Sequence, residues 1–320
     1  MGAGATGART ARQLVSDGVR VLVSDQRAGH LATVVESLGP AAEAFAGAPE
    51  DADAEVAVLC LGPGHAPIAA RCIRRGIAVV SVADDPDDVR ALLDLDAEAS
   101  ERGTPVVAGA GFSPGLTCLL AAHAASTFDR VDEIHVARTG TGGPACAEAH
   151  HRALAGEAFD WRDGGWVHRS AGSGRELCWF PDPIGGRDCY RAGLAEPLLL
   201  VRAFPDAERI TARMGATRRD RLTAGLPMLR KPHPEGTIGA VRVELRGRRG
   251  TARDIAILGA MDRPGVAAGC VAAVAATFAF EGAVLRPGAG GLAELVEPVP
   301  FLAELARRGV RAAVFDGIPA

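Results

Sequence analysis

The feature that most constrains this chain is its opening, Met1-Gly2-Ala3-Gly4-Ala5-Thr6-Gly7, which runs into a helical period over residues 5–16. Gly2-x-Gly4-x-x-Gly7 has the spacing of a dinucleotide-binding turn. In such a turn the first glycine permits a sharp bend and the second lets backbone approach a pyrophosphate. The third lets the helix pack on a sheet, and that helix directs its positive end at the phosphates. With 40 glycines in 320 residues the spacing alone is weak, because chance matches are common. Asp25 strengthens it. It stands 18 residues beyond Gly7 at the end of the next apolar run, where a carboxylate accepts hydrogen bonds from an adenosine ribose. Gly2, Ala3, Gly4, Ala5, Thr6 and Gly7 are therefore expected at the pyrophosphate, with Asp25, Gln26 and Arg27 at the adenosine. Asp25 favours NAD slightly over NADP, because a carboxylate repels a 2′-phosphate, and Arg27 pulls the other way.

Such a turn is made at the carboxyl end of a strand, and here no strand precedes Gly2. That first strand is central in the order 3-2-1-4-5-6. The sequence therefore predicts a doubly wound parallel Rossmann sheet lacking its first strand, with the native start upstream of Met1 or the chain truncated.

Strand periods fall at 19–23, 56–61, 77–82 and 105–108, and helical periods at 31–38, 67–75, 89–102 and 114–126. Alternation of this kind predicts an α/β fold with a parallel sheet. The middle changes character. Strands are expected at 131–138, 176–180, 210–214, 241–245 and 252–258, the last two flanking Arg246-Gly-Arg-Arg-Gly250 as a hairpin. Helices return at 264–280 and 291–308. The expected division is a dinucleotide-binding domain over 1–127, an α+β substrate and dimerisation domain over 128–261, and C-terminal helices over 262–320. Residues 215–236 form a polar loop holding Arg218, Arg219, Arg221, Arg230 and Lys231. Its arginines can clamp a substrate carboxylate, although a solvated loop is the preferred reading.

Composition excludes several classes. A net charge of −4 argues against nucleic-acid binding, which rests on phosphate neutralisation. Lys231 is the single lysine, so no Gly-Lys-Ser/Thr of a phosphate-hydrolysing loop exists. Seven scattered cysteines without Cys-x-x-Cys read as reduced thiols of a cytoplasmic protein, with no metal site expected. The apolar run 266–280 is too short for a bilayer.

Ligands bind outside the carboxyl ends of parallel strands. Gly62 and Pro63 after the second apolar run are expected at the cofactor, and Asp84 closes the next strand in the same crevice. Asp84 and Asp85 are also readable as caps of the helix after Pro86. Ser113, before Pro114, reads first as a helix N-cap. His150 and His151 end a short helix, and at most one of them can face a site; an exposed or core-edge histidine is the preferred reading.

The order of these segments resembles the saccharopine dehydrogenase-like oxidoreductases. The resemblance is carried by the glycine turn, Leu61-Gly-Pro-Gly64, Gly76-Ile-Ala-Val-Val-Ser-Val-Ala-Asp-Asp85 and Gly109-Ala-Gly-Phe-Ser-Pro-Gly115. It continues through Thr139-Gly-Thr-Gly-Gly-Pro144 and Phe301-Leu-Ala-Glu-Leu-Ala-Arg-Arg-Gly309. It implies hydride transfer between NAD or NADP and an amino-acid-derived imine or secondary amine. It also implies a homodimer, an inserted sheet for substrate, and C-terminal helices packed back on the nucleotide domain. Ser113 stands where the family has an acid or amide, and Thr141 where saccharopine-forming members have a cysteine. Asp84, Ser113 and Thr141 are the expected substrate contacts and His150 the candidate acid. Two alternatives stay open: a non-catalytic cofactor-binding sensor or scaffold, and a carbonyl reductase of secondary metabolism.

Overall fold

The computed structural model describes residues 1–228 and 232–314; Arg230 and Lys231 of the polar loop lie outside the described residues. The first third alternates as the sequence predicts. α1 (Ala5–Ser16) is followed by β1 (Val21–Val23), α2 (Ala28–Leu38), β2 (Ala42–Ala44), β3 (Val56–Leu59) and α3 (His65–Arg74). β4 (Ala78–Ser81), α4 (Pro86–Leu93), α5 (Asp96–Glu101), β5 (Pro105–Val107) and α6 (Leu116–Ala125) complete it. Every strand pair here is parallel. Val79, Val80 and Val106 are fully buried, because a parallel strand is covered on both faces.

β1 pairs with β2, while β3, β4 and β5 lie side by side in a separate sheet. The place between β1 and β3, where the first strand of a doubly wound sheet stands, is spanned by Met1 and Gly2. The Met1 nitrogen donates to Val58 O (2.7 Å) and Cys60 N donates to Met1 O (2.8 Å). Gly2 N donates to Ser24 O (2.7 Å). The β1–β2 unit accordingly has a small core of its own, formed by Ala3, Ala11, Val23, Val34, Leu38 and Ala42.

A mixed sheet follows. It is built from β6 (Arg130–Thr139), β7 (Glu157–Arg162), β8 (Gly165–Ser170), β9 (Glu176–Phe180), β10 (Gly185–Arg191), β11 (Arg209–Gly215), β12 (Gly239–Arg249) and β13 (Ala252–Asp262). The strand order is β13-β12-β6-β11-β10-β9, with β7 on β11 and β8 on β7. Three helices interrupt these strands: α7 (Pro144–Ala153), α8 (Glu196–Ala203) and α9 (Arg218–Thr223). Ile134 of β6 lies opposite Ile210 of the parallel β11, and both are fully buried on the face that α6 and α8 cover. Alternation puts Glu133 and His135 on the other face, where His135 pairs with Glu133 (2.8 Å) and Arg213 with Asp160 (2.8 Å).

α10 (Pro264–Phe280) then lies along α1 and over β3 and β4. Gly269 permits this contact, since a Cβ there would stand 2.6 Å from the Arg9 Cβ. β14 (Gly288–Gly290) adds to the nucleotide sheet, parallel to β5. α11 (Leu292–Leu295) and α12 (Pro298–Arg307) pack on α6, and β15 (Ala312–Val314) pairs with β13. Among the described residues no helix is long and apolar enough to cross a membrane.

The expected helix 89–102 is two helices, because Asp96 turns inward to Arg202 (2.8 Å) and Arg286 (3.0 Å). The expected helix 291–308 breaks at the extended Val296 and restarts at Pro298, whose ring suits a first turn and not an interior one. The sequence gives no sign of β2, β7, β8, β10, α8, β14 and β15, and the expected loop over 215–236 holds the short helix α9, started by the Thr217–Asp220 capping box.

Candidate active site

The glycine turn is closed by its own backbone. A Cβ on Gly7 would stand 1.8 Å from Gly2 O, and one on Gly2, at φ +83°, would stand 2.3 Å from Cys60 O. A Cβ on Gly4 would meet nothing within 4 Å, so that backbone is open to an approaching ligand. Asp25 sits beneath the turn. Its Oδ2 accepts from Ala3 N (2.8 Å), and its Oδ1 accepts from Arg27 N (2.9 Å) and Arg27 Nε (3.1 Å). Burial pushes this carboxyl up, but the Arg27 guanidinium and the two amides outweigh it and hold the group down at about 2. Gln26 and the Arg27 side chain are exposed at the rim. Ala5 and Thr6 open α1, and Ala5 faces Gly143 of the β6–α7 loop.

Gly62 and Pro63 are exposed after β3. They are anchored from below by His65, which sequence reasoning missed. His65 is buried, with Nδ1 2.8 Å from Ser81 Oγ, and its backbone N–H donates to Asp88 Oδ1 (2.9 Å). Burial lowers its pKa more than the nearby Asp88 charge raises it, so the ring sits there neutral.

The two acids after β4 divide the roles proposed for them. Asp85 caps α4, accepting from Asp87 N and Asp88 N. Asp84 instead faces the mixed sheet, with Oδ2 3.4 Å from His150 Nε2 and 3.7 Å from Arg138 Nη1. Ser113 is a correction. It does not cap α6; Gly115, at φ +122°, stands at the N-cap with no side-chain bond. A Cβ on Gly115 would stand 2.2 Å from Gly111 O, so the chain folds back once more before the helix starts. The Ser113 hydroxyl donates to the fully buried Glu196, and Ser113 O accepts from Arg138 Nη1 (2.5 Å).

The β6–α7 segment brings the second wall. Thr141 is bound through its backbone, its N–H donating to Thr237 Oγ1 (3.0 Å) and its carbonyl accepting from Thr237 N (2.9 Å). Cys146 and His150 are four residues apart on α7 and so share one helix face. His150 is buried, not exposed at a core edge. Its Nε2 lies 3.4 Å from Cys146 Sγ, which also accepts from Gly142 N–H (3.3 Å). Burial and the Arg138 charge push His150 down, yet the Cys146 thiolate and the Asp84 carboxylate overcome both and raise it to about 9. Burial raises Cys146, but the His150 charge outweighs that and leaves the thiol below its ordinary range. His150 is thus held as the cation between a thiol and a carboxyl that are both lowered by its charge. His151 points elsewhere, its Nε2 2.7 Å from Thr223 O and 3.2 Å from Leu226 O. In the polar loop Arg221 stacks on Tyr190 (4.1 Å) and donates to Gly172 O (2.9 Å), a holding role and not a free clamp.

A parallel sheet with a glycine turn at its carboxyl end is the architecture of the dinucleotide-binding folds. More particularly, the fold is similar to that of saccharopine dehydrogenase, in line with the sequence resemblance. The chain matches apo saccharopine dehydrogenase (L-Glu forming) from Saccharomyces cerevisiae with a TM-score of 0.69 at 14% identity, over 98% of each chain. It matches an amine dehydrogenase from Mycobacterium smegmatis with a TM-score of 0.54 at 12% identity, over 92% of this chain and 94% of that one. No protein-family model and no curated protein matches the sequence.

Proposed function

We propose that the protein is an NAD(P)-dependent oxidoreductase acting on an amino-acid-derived imine or secondary amine. One observation carries this reading: Asp84, beyond the carboxyl end of β4, meets Cys146 and His150 of α7, whose preceding loop packs on Ala5 of the glycine turn. Residues 1–127 serve the cofactor and 128–261 the substrate, while 262–320 brace the first unit. Gly2, Ala3, Gly4, Ala5, Thr6 and Gly7 hold the pyrophosphate, Asp25, Gln26 and Arg27 the adenosine, and Gly62 and Pro63 the central portion. When bound, the nicotinamide supplies a hydride equivalent to the substrate carbon.

The chain's own residues handle the proton. His150, charged below about 9, donates from Nε2 to the substrate nitrogen as that atom gains the electron pair of the C=N bond. Asp84 holds the imidazolium in place and stabilises its charge. Arg138 positions Ser113 and Asp84, and Ser113 and Thr141 bound the substrate side. In the reverse direction the neutral ring accepts the same proton.

NAD is the favoured cofactor because Asp25 stays ionised. The exposed Leu177 and Trp179 on β9 support a homodimer through the outer face of the mixed sheet, and seven unpaired cysteines support a cytoplasmic site. The test is purified protein with NADH or NADPH and a panel of 2-oxo acids with amines, followed by loss of nicotinamide absorbance. Turnover is expected. Cofactor binding without turnover across the panel overturns the enzyme reading in favour of a sensor or scaffold, and turnover on ketones alone favours a carbonyl reductase.

A further inference from the structure

The proton chemistry above leaves Cys146 without a task. Its surroundings suggest one. In a nucleophile–histidine–acid relay, the acid and the nucleophile address opposite nitrogens of the ring. Here Cys146 Sγ and Asp84 Oδ2 both lie 3.4 Å from the same nitrogen, His150 Nε2. The three donor atoms lie within 4.8 Å of one another. A lone proton there is shared between two acceptors.

Carboxylate oxygen, thiolate sulfur and imidazole nitrogen are the three donor types that zinc takes. Zinc bonds of about 2.0–2.2 Å to nitrogen and oxygen, and about 2.3 Å to sulfur, set tetrahedral edges near 3.4 Å for N···O and about 3.5 Å for N···S. The two separations from Nε2, 3.4 Å to the oxygen and 3.4 Å to the sulfur, lie close to those edges. We propose that Asp84, Cys146 and His150 form a three-ligand site for a zinc-type divalent cation, with its fourth position open to the crevice.

Local structure supports the site. Pro144 starts α7, and the four-residue spacing brings Cys146 and His150 onto one face. The Gly142 N–H directed at Sγ (3.3 Å) is the kind of outer partner that stabilises a metal-bound thiolate. Arg138, 3.7 Å from the same Asp84 oxygen, opposes a cation; two anionic donors against one arginine leave one net negative charge for the ion. The ion takes the place of the Nε2 proton, so the loaded form and the proton-donating form exclude one another. This exclusion rests on the proposed function, whereas the site itself does not.

Cobalt(II) tests it, because it occupies zinc sites and reports its ligands optically. The full chain, stripped with a chelator, is titrated with cobalt chloride in the absence of cofactor. One ion per chain is expected, with a thiolate-to-cobalt charge-transfer band in the near ultraviolet and the intense visible bands of four-coordinate cobalt, all abolished by equimolar zinc. Cys146→Ser removes the charge-transfer band, and Cys178→Ser, on the distant β9, leaves it. Asp84→Asn weakens cobalt binding at least about tenfold. Circular dichroism establishes that each variant is folded. Absence of the bands in the wild-type chain at saturating cobalt, or a charge-transfer band that survives Cys146→Ser, overturns the site. Nicotinamide turnover is measured on the chelator-stripped chain before cobalt is added: turnover there with no bands on the later titration defeats the metal site alone, and bands on titration with no turnover in the stripped chain defeat the dehydrogenase reading alone.

Discussion

The two walls of the crevice are built by different means. The wall from the first sheet is main chain: Gly2, Gly4 and Gly7 give it its form by having no side chains, and Asp25 locks it through backbone amides. The wall from the mixed sheet is side chain: the buried Arg138 and His150, with Cys146, meet the half-buried Asp84. A main-chain wall recognises what every nicotinamide dinucleotide shares. A side-chain wall determines which proton moves and on what substrate, so function is set there and not in the fold.

Substitutions that act on one wall alone break or sharpen this contrast. The largest expected effect is His150→Asn, which keeps the ring volume approximately and removes the proton. Reductive turnover should fall by about a thousandfold with NADH affinity unchanged; a matching loss of affinity would show that the walls do not divide the work. Gly7→Ala should do the converse. Its Cβ clashes with Gly2 O, and NADH affinity, read by fluorescence titration, should drop roughly a hundredfold.

Smaller effects probe the interior of each wall. Asp25→Asn removes the charge that repels a 2′-phosphate and should move the NADH/NADPH affinity ratio toward NADPH by about tenfold, while Arg27→Ala should move it the other way. The smallest effect is a shift in pH dependence. His150 is raised in the fold to about 9 from 6.5, so its stabilising contribution is complete below about 6.5 and is lost as pH rises through about 9. Thermal midpoints should decline over that window, and the alkaline limb of reductive activity should lie at its upper end. Asp84→Asn removes a partner that raises His150 and should bring the limb to lower pH. A limb that stays in place assigns it to another group.

The main-chain wall was legible in the sequence because it depends on spacing. Glycines at fixed intervals and continuous apolar strands encode geometry locally, and Asp25 follows them at a constant distance. The side-chain wall depends on contacts more than 50 residues apart, such as Asp84 with Arg138 and with His150. The Cys-x-x-x-His spacing of 146 and 150 was visible, but nothing local shows that its helix face turns toward β4. Ser113 misled for a related reason. Serine before proline at a strand's end has the form of a cap, while the extra bend through Gly115 is dictated by packing against Gly111. Glu196 and Arg138 gave no signal, since buried ions are recognisable only from their partners.

His150 and His151 are consecutive, yet one faces Asp84 and the other grips Thr223 O and Leu226 O across the loop that follows α9. A helix turns as a rigid rod, about 100° per residue, so α7 cannot swing one imidazole without swinging the other. The helix is thus a crank with two pins. One helix therefore ties the 223–226 segment, through His151, to the ring that faces Asp84.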